Sequence, residues 1–98
     1  MLFIVSGHDK PGNLDERLRL RPQHRAYYER LGADLILSGP YLDEEEVPVG
    51  SMIIMRASSQ IAAEAFAHAD PYVTEGVFET VTVWHWEWFM NRPPGFIS

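Results

Sequence analysis

Val77-Phe78-Glu79-Thr80-Val81-Thr82-Val83-Trp84-His85-Trp86-Glu87-Trp88-Phe89 is the longest strand-like run in the chain. Its alternation puts Trp84, Trp86 and Trp88 on one face and Val83, His85, Glu87 and Phe89 on the other, the period-2 pattern of a β-strand. Before it, Ile61, Ala62, Ala65, Phe66 and Ala69 recur at helical spacing, with Ser58 or Ser59 as cap. Asp70-Pro71 ends that helix, because the residue before a proline is pushed out of the helical region. Tyr72 to Gly76 reads as a turn. Further back, Leu35-Ile36-Leu37 and Ser51 to Ala57 read as two strands. The first is closed by Ser38-Gly39-Pro40, and the run Asp43 to Glu46 forms a solvated connector. A connector this short makes the pair antiparallel.

Pro22 sets the first helix. A proline costs little at the first helical position and much inside a helix. The main helix is therefore expected from Pro22 to Leu31, stopped by Gly32. A short helical turn, Leu14 to Leu20, precedes it, with Asn13 as cap and Glu16 placed for a capping box. Met1 to Ser6, ended by Gly7, is a buried first strand.

The order strand, helix, strand, strand, helix, strand defines an α+β, ferredoxin-like domain. It predicts a four-stranded antiparallel sheet with both helices on one face. The other face has no cover within the chain, and an uncovered apolar face marks an interface. Two copies are expected to pair sheet to sheet as a homodimer resembling an α/β barrel, or to form a larger homo-oligomer. The domain is placed at residues 1–90 and a Pro/Gly-rich tail at 91–98.

The 98 residues fit one small domain, which buries a limited share of its surface and gains from a partner subunit. There is no cysteine, which excludes disulfides, thiol nucleophiles and thiolate metal sites. The net charge of −6 opposes binding to phosphate backbones, so no nucleic-acid partner is expected. No apolar run approaches membrane-spanning length and no signal peptide is evident. These features predict a cytoplasmic protein with no membrane partner.

The sharpest chemical signal is the pair His24, in Arg21-Pro22-Gln23-His24, and Asp70, in Asp70-Pro71-Tyr72. If the fold joins them, the carboxylate accepts a hydrogen bond from one ring nitrogen and leaves the other free to take a proton. His24 reads equally as a packing histidine at a helix start, and Asp70 as turn chemistry. With the main helix begun at Pro22, His24 falls in its first turn, where the dipole disfavours the imidazolium. Arg21 is placed to bind a carboxylate or phenolate, or to form a surface ion pair. Ser51 offers a hydrogen bond to substrate and lacks the elbow of a nucleophile. Gly39 and Pro40 shape a strand-ending turn or a pocket wall, with Gly39 permitting close backbone approach. Tyr72 lines the pocket or packs in the core. His8, His68 and His85 show no metal-ligand spacing, so no metal is expected.

Met1-Leu2-Phe3-Ile4-Val5, Arg21-Pro22-Gln23-His24, Ser38-Gly39-Pro40, Gly50-Ser51 and Asp70-Pro71-Tyr72 occur in the order and spacing of the YCII-related family, which the chain resembles. The resemblance implies a ferredoxin-like dimer with a pocket centred on His24 and Asp70. It also points toward dehydrochlorinases of chlorinated hydroxyquinols and, by fold, muconolactone isomerases. The Trp84, Trp86, Trp88 alternation and the tail depart from the family pattern.

Two functions follow. In the first, a cofactor-independent lyase or isomerase uses His24, oriented by Asp70, to take a proton from a small polar aromatic or lactone-like substrate. Arg21, Ser51 or backbone near Gly39 then stabilises the developing negative charge. In the second, the same pocket only binds a small ligand. A reachable His24 bonded to Asp70 favours the first; a His24 satisfied by backbone favours the second.

Overall fold

The computed structural model describes residues 1–98. Along the chain lie β1 (Leu2–Asp9), α1 (Leu14–Glu29), a 3-10 turn (Gly32–Asp34), β2 (Leu35–Leu42) and β3 (Pro48–Arg56). Then come α2 (Gln60–His68), the one-turn α3 (Pro71–Thr74) and β4 (Phe78–Trp86). The sheet order is β2-β3-β1-β4, and every neighbouring pair is antiparallel. This is the α+β, ferredoxin-like arrangement expected from the sequence.

The register decides which side chains meet the helices, because directly paired residues share a face. Val5 pairs with Ile53 and Val83, and Phe3 with Met55 and His85. Phe3, Val5, Ile53 and Met55 bury themselves against Tyr28 of α1 and Ala63 and Ala67 of α2. Ser59 caps α2, its side chain accepting from the Ala62 amide. A second cluster joins Leu20 of α1, Tyr72 of α3, and Val77 and Phe78 at the start of β4. Gly7 passes directly under the Phe78 ring, where a Cβ would collide with it.

The opposite sheet face carries Ile4, Leu37, Met52 and Trp84, with Trp84 66% exposed. At the edge near Leu2, the tail folds back. Arg56 donates to the Ile97 carbonyl and lies 5.3 Å from the Phe96 ring centre, while Trp88 and Phe96 are 5.2 Å apart.

Several local expectations change. The main helix does not begin at Pro22: α1 runs unbroken from Leu14 to Glu29 with Pro22 inside it. An interior proline costs about 3 kcal/mol. Here Leu20 is anchored in one core cluster and Tyr28 in the other, so packing on both sides carries the helix through. His24 therefore sits mid-helix, and the N-terminal dipole argument does not apply to it. Asn13 makes no side-chain cap; its amide donates to the Gly76 and Val77 carbonyls instead. Glu16 pairs with Arg19 rather than closing a capping box.

Ser38-Gly39-Pro40 does not close β2 but continues it to Leu42. Pro40 is tolerated because β2 is an edge strand, where one side of the backbone needs no ladder partner. Likewise, β3 begins at Pro48, earlier than expected. The turn expected after Asp70 is the helix α3, with Asp70 as its cap and Pro71 at its first position. β4 stops at Trp86, so Trp88 lies beyond the sheet.

Candidate functional site

α1 faces the β2–β3 hairpin across a cavity of about 210 Å³. Arg17, Arg21, His24 and Arg25 line it from the helix, and Ser38, Pro40 and Ser51 from the strands. The spacing 17, 21, 24 and 25 is one face of a 3.6-residue helix. The strand side follows from register: Pro40 pairs with Ser51 and Ser38 with Ile53, all toward the helices.

His24 and Asp70, 46 residues apart, meet behind this wall. His24 Nδ1 lies 2.8 Å from Asp70 Oδ1 and 3.0 Å from Oδ2. The carboxylate is 1% exposed and the imidazole side chain 13%. An ionised carboxylate only accepts, so Nδ1 carries the proton and donates. No protein hydrogen bond engages Nε2. The Tyr72 amide also donates to Asp70 Oδ1, at 3.1 Å, so one carboxylate caps α3 and holds the imidazole. The Tyr72 ring stacks on His24 with centroids 3.9 Å apart and planes 10° apart. Its hydroxyl donates to the Arg17 carbonyl.

Arg17 ties the cavity to β1. Its Nε donates to Asp9 Oδ2 at 2.6 Å, and its Nη2 to Asp9 Oδ1 at 3.1 Å and to Ser51 Oγ at 2.7 Å. Ser51 accepts from Arg17 and so keeps its own hydrogen to donate elsewhere. The Arg17 guanidinium also packs 4.7 Å from the Tyr72 ring centre. Burial pushes the Tyr72 phenol up from its ordinary pKa, with Arg17 and then Arg21 pulling against it.

All seven residues singled out in the sequence come to this place. Arg21, His24, Gly39, Pro40, Ser51 and Tyr72 line the cavity, and Asp70 stands behind His24. The conformational reason given for Gly39 fails, since a Cβ there would meet nothing within 4 Å. Arg17, Arg25, Asp9 and Ser38 were not singled out. His8 lies on the opposite sheet face, stacked on Tyr41, and His85 stacks on Phe3. Nowhere do three histidine or carboxylate side chains converge to ligate a metal ion. No helix is long and apolar enough to cross a membrane.

Tyr28, beside His24 at 5.2 Å, is buried with a hydroxyl that has no hydrogen-bond partner. Burial, and after it the Asp70 charge, pushes its pKa well up. A buried unpaired hydroxyl costs about 1–3 kcal/mol, so Tyr28→Phe should raise stability in urea unfolding at neutral pH. The pH dependence has a fixed sign. A folded pKa above the unfolded value of about 10 means the unfolded chain loses its proton first. The titration of Tyr28 thus takes nothing from stability below about pH 10, and ionisation of the unfolded chain draws stability away as the pH rises further. Tyr28→Phe should flatten that alkaline decline; an unchanged slope would refute the assignment.

A ferredoxin-like α+β domain with a histidine–carboxylate pair at an arginine-lined cavity is the class of protein that these features define. The chain belongs to the YCII-related domain family, whose model matches residues 1–87. Protein YciI of Escherichia coli O6:H1 is 37% identical to it, the match covering 85% of this chain and 93% of that protein. A protein of Haemophilus influenzae is 34% identical over the same shares. Among solved structures, it is similar to the 5-chloro-2-hydroxyhydroquinone dehydrochlorinase TftG of Burkholderia phenoliruptrix AC1100, in complex with 2,5-dihydroxybenzoquinone. That match has a TM-score of 0.81 at 33% identity and covers 89% of this chain and 94% of TftG. An antibiotic biosynthesis monooxygenase, with a TM-score of 0.50 at 16% identity over 85% and 93% of the two chains, shares the fold alone.

Proposed function

We propose that this chain is an enzyme that takes a proton from a small hydroxylated ring and drives an elimination or isomerisation without an organic cofactor. The observation that carries this reading is His24. Its Nδ1 is held by a buried carboxylate, its Nε2 is free of protein partners, and the residue lines an open cavity. That is the arrangement of a general base whose tautomer is fixed in advance. Asp70 orients the ring and stabilises the imidazolium once formed. Ser51, with its hydrogen free, and Arg21 supply donors for the oxyanion that develops. Gly39, Pro40 and Tyr72 shape the walls.

The likeness to TftG supports the substrate class, since that protein is named for dehydrochlorinating a hydroxylated ring. In such a step Nε2 moves the proton of one ring hydroxyl to the chlorine-bearing carbon, giving a keto tautomer. A second hydroxyl then gives its proton to Nε2, and its O–H pair becomes a C=O bond. The ring double bond it displaces shifts to expel chloride with the carbon–chlorine pair, leaving a hydroxyquinone. Net loss of HCl needs no outside oxidant. The cavity is smaller than the roughly 300–1,000 Å³ of drug-sized sites, and suits a single substituted ring. The test is turnover of 5-chloro-2-hydroxyhydroquinone, read as chloride release by the purified chain. Release by the wild-type chain that is lost in His24→Asn supports the reading. Ring ligands that bind without any turnover would instead establish a binding module.

The reading includes a homodimer built on the sheet face that carries Ile4, Leu37, Met52 and Trp84. Leu37 and Trp84 are exposed there and Ile4 and Met52 half-buried, an apolar patch with no cover within the chain that supports it. A monomer by light scattering at micromolar concentration would overturn that part.

A further inference from the structure

The chain is acidic, with 14 Asp and Glu against 8 Lys and Arg, yet three of its arginines line one cavity. Arg17 is neutralised there by Asp9, and Asp70 is occupied by His24. Arg21 and Arg25 enter no ion pair. They stand four residues apart on α1, so they are neighbours on its surface, and like charges at that spacing destabilise a helix. Both also border the shallow depression that continues outward from the cavity past Pro22 and Ala26. Its one acid, Glu29, pairs with neither of them. The inner end of the cavity therefore has its charges matched, while the mouth holds two uncompensated guanidinium groups.

We infer that the ligand carries a carboxylate in addition to its ring hydroxyls, and that Arg21 and Arg25 bind this carboxylate at the cavity mouth. This rests on the proposed function for the placement of the ring against His24. The planar guanidinium fork matches a carboxylate by paired hydrogen bonds, and such charge-assisted bonds are the strong ones. Binding relieves the repulsion between the two arginines and orients the ring with its hydroxyl toward Nε2. Arg25 becomes a binding residue, and hydroxylated ring carboxylates become the preferred members of the substrate class, ahead of carboxylate-free rings such as 5-chloro-2-hydroxyhydroquinone.

Calorimetric binding of two probes that differ only in the carboxylate tests this: 2,5-dihydroxybenzoate and hydroquinone. The wild-type chain should bind the carboxylate at least about tenfold more tightly, the fold-change of one charge-assisted hydrogen bond. That gap should narrow in about 1 M salt, where the screening length falls to about 3 Å. It should close in Arg21→Gln/Arg25→Gln, where the two probes should bind with equal affinity. His24→Asn should weaken both probes and preserve the gap. Equal affinities in the wild-type chain, a gap that survives the double substitution, or binding of neither probe overturns the inference. A gap that behaves as expected in a chain that turns over no substrate overturns the enzyme reading and leaves this one standing.

Discussion

His24→Asn lowers kcat/KM toward a hydroxylated-ring substrate by about 10²–10⁴-fold, the usual contribution of a positioned general base. Asparagine is the informative substitution. Its amide nitrogen occupies the place of Nδ1 and can still donate to Asp70, whose carboxylate is 1% exposed. His24→Ala would leave that carboxylate with the Tyr72 amide as its remaining donor and mix a folding defect into the kinetics. Asp70→Asn should act on the same scale by another route. Its amide can turn a donor toward Nδ1, which moves the ring proton to Nε2 and removes the lone pair from the cavity. Circular dichroism of each variant confirms the fold, and steady-state rates give the effect. Activity of His24→Asn within about tenfold of wild type would rule out the base assignment.

Arg17→Met destabilises the fold by about 3–5 kcal/mol, the cost of leaving one member of a buried ion pair uncompensated. The Arg17 and Asp9 side chains are 6% and 5% exposed, and Asp9 accepts through both oxygens. Methionine preserves most of the side-chain volume but leaves the Asp9 carboxylate in a dry site without its cation. For a domain of this size the midpoint of thermal unfolding should fall by roughly 10 °C or more. Arg17→Met with Asp9→Leu should recover most of the loss, because replacing both partners by apolar groups is close to neutral. A single substitution that costs less than about 1 kcal/mol would place the pair among solvent-screened surface contacts.

The alternation in β4, the small-residue spacing of α2 and the order of elements along the chain were legible because periodicity and turn chemistry agree there. The His24–Asp70 pair was legible because both residues stand in distinctive proline contexts. Arg17 and Arg25 were missed for one reason. Treating Pro22 as a helix start cut α1 in two and hid the 17, 21, 24, 25 face. Local propensity argues for that break, and only the packing of Leu20 and Tyr28 in separate clusters overrides it. Asp9 and Ser38 were hidden differently. Asp9 lies past the strand end expected at Gly7 and Ser38 in the expected closing turn, whereas ladder pairing keeps β1 going to Asp9 and β2 going to Leu42.

Asp70 performs two tasks with one carboxylate: it starts α3 and it aims the imidazole. Opening this four-residue helix means withdrawing Tyr72, which is fully buried in the second core cluster, so the turn opens together with that cluster. Each opening releases the imidazole together with the Tyr72 amide. The fraction of molecules with an aimed imidazole is thus tied to the packing of Tyr72 against Leu20, Val77 and Phe78. Hydrogen exchange at the Tyr72 amide therefore reads out, in time, how often the imidazole is held in place.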